Sequence, residues 1–238
     1  MEENKKKIGI VGKGQFGQFM ASHLGNFFYV RAFGREEKSE QDLESLDYLI
    51  FSVPLQNLEE VCIEIQNKIA EKTILIDVTS VKVEPLRILK QYFLNNQILG
   101  THPMFGPQSG KNGIMGLQIV LSNVSVQEDK YLDIKNFLEI SLKLKVIEKT
   151  AGQHDREVSF VQGLSHFIGA ALANMQIQDF ELQTESYKKL LELRNLVGDD
   201  SWELYKTIQN GNQLTKQVRA EFLKTLQELE EKLETENF

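Results

Sequence analysis

The sequence predicts an α/β chain: a doubly wound sheet over residues 1–150, then an all-helical dimerisation domain over residues 151–238. Three observations carry that expectation. Short apolar runs alternate with stretches of helical spacing up to about residue 150. A glycine cluster, Gly12-Lys13-Gly14-Gln15-Phe16-Gly17, joins the first apolar run to the first helical pattern. From Ala151 onward there is no proline and no strand pattern, only long helical spacing.

Ile8–Val11 reads as a buried strand, and Phe16, Met20 and Leu24 as the face of the helix behind it. Strand, tight turn and helix are the context that gives a G-x-G-x-x-G pattern its meaning. Gly12 allows the turn, Gly14 lets backbone approach a pyrophosphate, and Gly17 lets helix and strand pack closely. The helix start then offers unpaired N–H groups to phosphate. Gly12, Gly14, Gln15, Phe16 and Gly17 are therefore expected at a dinucleotide; the alternative is a glycine-rich turn with no ligand.

Tyr29–Phe33 is the second strand, ending in Gly34 and Arg35. An NAD site places an acidic residue there for the ribose 2′-hydroxyl, whereas an arginine can pair with a 2′-phosphate. Arg35 thus favours NADP, with NAD as the alternative. Tyr48–Val53 reads as a strand closed by Pro54, so Ser52, Val53 and Pro54 are expected to line the cofactor. Residues 56–70 form an amphipathic helix, whose apolar face carries Cys62 as a buried thiol.

Thr73–Ile76 and Ile98–Leu99 read as buried strands. Asp77, Thr79, Ser80 and Lys82 follow the first; Thr101, His102, Pro103 and Pro107 follow the second. Polar groups outside the carboxyl ends of strands are site candidates in an open α/β sheet, with Asp77 assigned to the cofactor. A hydroxyl, an imidazole and a lysine there suit orienting and deprotonating a small substrate. Between the two strands, Pro85 fits the first position of a helix over Leu86–Phe93. Leu117–Ser122, Tyr131–Leu142 and Leu144–Ile147 complete the domain as strand, helix and strand, a βαβ alternation throughout.

Beyond Ala151, Asp155–Met175, 181–197, 200–209 and Leu214–Leu233 read as helices. Their apolar faces exceed what four helices bury alone, which predicts a homodimer.

Composition narrows the partners. A net charge of −7, with scattered cations, excludes a concentrated basic face for nucleic acid. One cysteine permits no intrachain disulfide and no cysteine metal cluster, and no metal is expected. No apolar run approaches the roughly 20 residues that span a bilayer, and no secretory core is evident, so a cytoplasmic protein is expected.

GKGQFGQF, DVTSVK, GTHPMFGPQSGKNG and AGQHDREVSFVQGLSH together resemble the prephenate/arogenate dehydrogenase family, plant-type arogenate dehydrogenases in particular. The resemblance covers nearly the whole chain. It implies a Rossmann-type domain and a tyrosine-pathway reaction, in which a cyclohexadienyl acid gives hydride to a nicotinamide and loses its ring carboxylate as carbon dioxide. It implies that His102 accepts the hydroxyl proton and that Ser80 bridges hydroxyl and nicotinamide. Local readings stand beside these: Ser80 as a helix cap, His102 as a satisfied loop histidine.

The resemblance also implies substrate contacts. His154 and His166 match the H-D and S-H of the family's first long helix, with buried structural histidines as the alternative. Gly169 stands where many bacterial members carry a second histidine. Arg194 aligns loosely with an arginine for the ring carboxylate, and Lys82 is a further candidate cation. Asn112 stands where some plant-type relatives carry Asp, which favours the keto acid prephenate over arogenate and its ammonium. The mutase and regulatory domains common in the family are not expected, so tyrosine feedback would act at the active site.

Two rivals share the architecture: another Rossmann reductase, and a non-catalytic NADP-binding module. The first gives no reason for THPMFGPQSG; the second would bind NADP, turn over no cyclohexadienyl acid and tolerate His102→Asn.

Overall fold

Seven short strands form one sheet in the order β2-β1-β3-β4-β5-β6-β7. They are β1 Lys7–Val11, β2 Tyr29–Phe33, β3 Tyr48–Phe51, β4 Ile74–Asp77, β5 Ile98–Pro103, β6 Gln118–Asn123 and β7 Lys145–Glu148. The computed structural model describes residues 5–34, 40–198 and 201–235. The chain divides into two units, Met1–His154 and Asp155–Phe238.

In the first unit the strands alternate their side chains between two apolar layers, as a two-residue period requires. Ile8 and Ile10 of β1, with Tyr48 and Ile50 of β3, face α1 (Gln15–Leu24) and α5 (Glu128–Asn136). Val11, Leu49, Phe51 and Leu75 face α2 (Glu40–Glu44), α3 (Leu55–Ile65) and α4 (Val83–Tyr92). Cys62 lies buried in this second layer, where burial pushes its thiol up to about 12. Both sheet faces are covered, which explains why the strands are uniformly apolar rather than alternating.

Four features differ from the sequence expectation. First, α3 ends at Ile65, short of residue 70. Second, α4 starts at Val83, so Pro85 holds its third position. Proline is tolerated there because first-turn N–H groups lack intrahelical acceptors. Third, β5 runs on through Thr101, His102 and Pro103. Fourth, β6 pairs antiparallel with β5 (His102 opposite Val120), so the βαβ alternation breaks once. No helix joins these two strands; residues 104–117 turn the chain back, helped by positive φ at Gly113 and Gly116.

The second unit is helical. A continuous helical stretch comprises α6 (Ala151–Val158), a π-helical segment at Ser159–Leu164, and α7 (Ser165–Asn174). Next come α8 (Glu185–Gly198), α9 (Trp202–Asn210) and α10 (Gln213–Thr235). A Cβ at Gly169 would lie 2.6 Å from Val197 Cγ2 and 3.0 Å from the Leu193 carbonyl, so glycine is what lets α7 meet α8. Among the described residues, no helix is long and apolar enough to cross a membrane.

Candidate active site

The strand order reverses between β1 and β3, and the glycine loop sits at that switch point. Gly12 holds φ +117°, and a Cβ there would meet the Ser52 carbonyl oxygen at 2.1 Å. A Cβ on Gly17 would lie 2.0 Å from the Gly12 carbonyl oxygen and 3.3 Å from Ser52 Oγ. Both glycines are therefore compulsory for the close approach of β1, α1 and the turn after β3. Gly14 faces open space, with nothing within 4 Å of an added Cβ. It occupies the N-cap of α1, and no side chain caps that helix.

The first-turn N–H groups, including those of Gln15 and Phe16, are thus available to an anion. The Phe16 ring packs into the apolar layer, so its contribution to a ligand is through backbone. Ser52 and Val53 are half-buried and Pro54 is exposed, beside the loop; Gly34 closes β2. This is a cradle that fits a pyrophosphate, and Ser52, Val53, Pro54 and Gly34 rim it at the ends of β3 and β2. Arg35 lies outside the described residues.

A second polar group gathers where β5 projects past β4. Their pairing stops at Asp77 opposite Gly100, leaving Thr101, His102 and Pro103 beyond it. Gly100 makes room for Lys82, whose Cδ would lie 3.3 Å from a Cβ at that position. The Lys82 ammonium, fully buried, pairs with the Asp77 carboxylate, also fully buried. The Thr79 backbone N–H donates to Asp77 Oδ1 at 3.1 Å, and Thr101 Oγ1 donates to the Asp77 carbonyl at 2.9 Å.

Asp77, expected at the cofactor, and Lys82, a candidate substrate cation, pair with each other. The cost of burying either ion alone forces the pairing.

His102 is buried, with Nδ1 2.8 Å from His154 Nε2. The rings meet edge to face, centroids 5.0 Å apart. Burial, the neighbouring His154 and the Lys82 ammonium, in that order, hold the His102 pKa well below the ordinary histidine value. These surroundings favour the neutral imidazole, the form that can accept a proton. Among the described residues, no hydrogen bond reaches its Nε2.

His154, expected at the substrate or as a buried structural histidine, is almost wholly buried and meets His102. Ser80 is half-buried in the turn after β4. It does not cap α4, whose N-cap is Lys82 and which carries no side-chain cap.

The loop from Met104 to Leu117 is tied to α1. Phe105 meets Phe19 edge-on at 6.3 Å, and a Cβ on Gly110 would strike the Phe19 ring at 2.6 Å. Asn112 is exposed on this loop. His166 and Arg194 belong to the second unit, on α7 and α8. The Arg194 guanidinium donates to the Ile177 carbonyl and to Asn195 Oδ1. Sequence reasoning missed the structural part of Thr101; its place beside His102 was the one available signal.

Comparison with known proteins bears on these groups. The profile "Prephenate dehydrogenase, nucleotide-binding domain" matches residues 31–139, and "TYRAAT1-like, C-terminal domain" matches residues 171–237. Arogenate dehydrogenase 1, chloroplastic, of Arabidopsis thaliana is 29% identical over 224 residues, covering 85% of this chain and 35% of that protein. The chain belongs to the prephenate/arogenate dehydrogenase family.

The T-protein of Enterobacter agglomerans is 32% identical over 169 residues, covering 69% of this chain and 43% of that protein. The chain thus spans well under half the length of these two relatives. Among solved structures, Aquifex aeolicus prephenate dehydrogenase with hydroxyphenyl propionate and NAD+ aligns at TM-score 0.72 and 18% identity, covering 97% of this chain and 91% of that one. Synechocystis arogenate dehydrogenase aligns at TM-score 0.69 and 19% identity, covering 96% and 93%. At that identity the structures establish a shared fold.

Proposed function

We propose that this member of the prephenate/arogenate dehydrogenase family catalyses the NAD(P)-dependent oxidative decarboxylation of a cyclohexadienyl acid, with prephenate and NADP preferred. The observation that carries the reading is His102: a buried imidazole whose surroundings favour the neutral form, at a projecting strand end, in the same sheet as a dinucleotide cradle. Arogenate is the alternative substrate, and arogenate dehydrogenases among the relatives keep it in view.

His102 accepts the proton of the substrate C4 hydroxyl, and Ser80, in the turn after β4, orients that hydroxyl. A nicotinamide dinucleotide held at the glycine loop would supply the acceptor for the C4 hydride. The bond from ring carbon to carboxylate then breaks; its electron pair enters the ring, which becomes aromatic as carbon dioxide leaves, and the phenolate oxygen so formed takes its proton back from His102. General-base help of this kind contributes roughly 10²- to 10⁴-fold. Gly12, Gly14, Gln15, Phe16 and Gly17 hold the pyrophosphate through backbone, and Arg35 takes the 2′-phosphate.

Asn112, neutral where an ammonium would want a carboxylate, sets the preference for prephenate. The test is kcat/KM for prephenate and arogenate, each with NADP and NAD. Prephenate with NADP is expected to be fastest, and Asn112→Asp is expected to raise the arogenate-to-prephenate ratio roughly tenfold, one charge contact's worth. An unchanged ratio removes Asn112 from specificity, and turnover of neither acid removes the function.

A further inference from the structure

We infer that His154 is a positioning residue for His102: its Nε2 accepts the hydrogen bond of His102 Nδ1–H and so leaves His102 Nε2 as the proton-accepting nitrogen. The inference rests on the reading of His102 as the base, and it deepens that reading by assigning a residue that acts through His102.

The argument begins with tautomers. A neutral imidazole carries one N–H, so one ring nitrogen donates and the other accepts. The Nδ1 of His102 and the Nε2 of His154 are 2.8 Å apart, close enough that one proton lies between them. If His154 donated that proton, His102 would keep its own proton on Nε2 and could not accept another there. If His102 donates it, Nε2 carries the free lone pair. Only the second arrangement makes His102 a base through Nε2, and no hydrogen bond from the described residues reaches that nitrogen.

The surroundings favour a fixed arrangement. Both rings are buried and packed edge to face, so neither reorients without opening the core. The groups facing His102 are His154 on α6 and Lys82 at the start of α4, the latter paired with Asp77 at the end of β4. The buried surroundings and the Lys82 ammonium oppose an imidazolium at His102 in the resting protein. When His102 takes the substrate proton, the resulting charge stands against His154 Nε2, which stabilises it by accepting a charge-assisted hydrogen bond. No bond other than O–H and N–H changes in this step.

The experiment compares wild type with His154→Gln, which places an amide oxygen near the former Nε2, and with His154→Phe, which offers no acceptor. The chain has four histidines, so ring ¹⁵N resonances are assigned by single replacements. Wild type and His154→Gln are expected to show the His102 Nδ1–H tautomer at pH 7.5, and His154→Phe a mixture or the Nε2–H form. In turnover, His154→Phe is expected to lose at least roughly tenfold in kcat with KM little changed, part of the base's own contribution. His154→Gln is expected to retain most of kcat and its acid limb, because the amide oxygen still accepts the Nδ1–H bond, whereas His154→Phe, with no acceptor for the imidazolium, moves the acid limb downward.

An Nε2–H tautomer of His102 in wild type, or the same tautomer and acid limb in all three proteins, overturns the inference. The tautomer reading needs neither substrate nor cofactor. A protein that turns over no cyclohexadienyl acid therefore defeats the proposed function, while the spectra still decide the histidine pair.

Discussion

An alanine at position 17 would put its methyl 2.0 Å from the Gly12 carbonyl oxygen, a backbone atom with no room to move. Gly17→Ala is therefore expected to lower stability by about 1–3 kcal/mol in urea titration, the usual cost of overpacking. It is also expected to weaken nicotinamide dinucleotide binding at least tenfold by fluorescence titration, because α1 must shift away from the phosphate cradle. Binding unchanged within twofold would separate this loop from the cofactor. Gly12 and Gly17 were legible in the sequence because a strand and a helix flank them, and each glycine answers one steric demand. Asp77 and Lys82 were not. The sequence places Asp77 at a cofactor and Lys82 at a substrate carboxylate, and nothing in their spacing shows that the lysine stem packs with Leu86 against Gly100. Gly169 was read as a histidine lost, whereas the structure shows a helix crossing that admits no Cβ.

At the scale of elements, the turn joining β4 to α4 is held by a buried ion pair that also presses on the base. Removing one partner leaves an uncompensated buried charge, typically worth 3–5 kcal/mol. Lys82→Met is thus expected to cost about that much in urea or thermal denaturation, and the double variant Lys82→Met/Asp77→Leu to recover most of it. A loss below about 1 kcal/mol for the single variant would show the pair to be solvated. Strand existence was readable from apolar runs, since strands covered on both faces are largely apolar. The length of β5 was not: Thr101, His102 and Pro103 are polar or ring-locked, and they continue the strand because β6 pairs against them. The same pairing hid the antiparallel turn, which the sequence carries only as glycines in residues 104–117.

At the scale of the whole molecule, the second unit leaves large apolar side chains in water. Leu223, Leu226, Leu229 and Leu233 of α10, Leu196 of α8 and Val161 before α7 are all exposed. Isolated surface leucines mean little, but a run of four on one helix needs a cover. We propose that a second copy of this chain supplies it. Sedimentation at micromolar concentration is expected to give a dimer, which Leu226→Glu with Leu229→Glu dissociates; a monomeric wild type would leave these faces to another partner. The division of the chain falls after His154. It leaves His154 in the first unit, on the helix that leads out of it, where it meets His102.

The most direct measurement is dehydrogenase turnover of prephenate, with arogenate alongside, by the wild-type protein and by His102→Asn. Dinucleotide reduction and carbon dioxide release are followed in the same cuvette. The account predicts equal amounts of reduced dinucleotide and carbon dioxide in wild type. In His102→Asn it predicts a roughly 10²- to 10⁴-fold loss in kcat with KM nearly unchanged, since the variant keeps the site and loses only the proton acceptor. Wild-type turnover of neither acid, or a His102→Asn variant as fast as wild type, would contradict it.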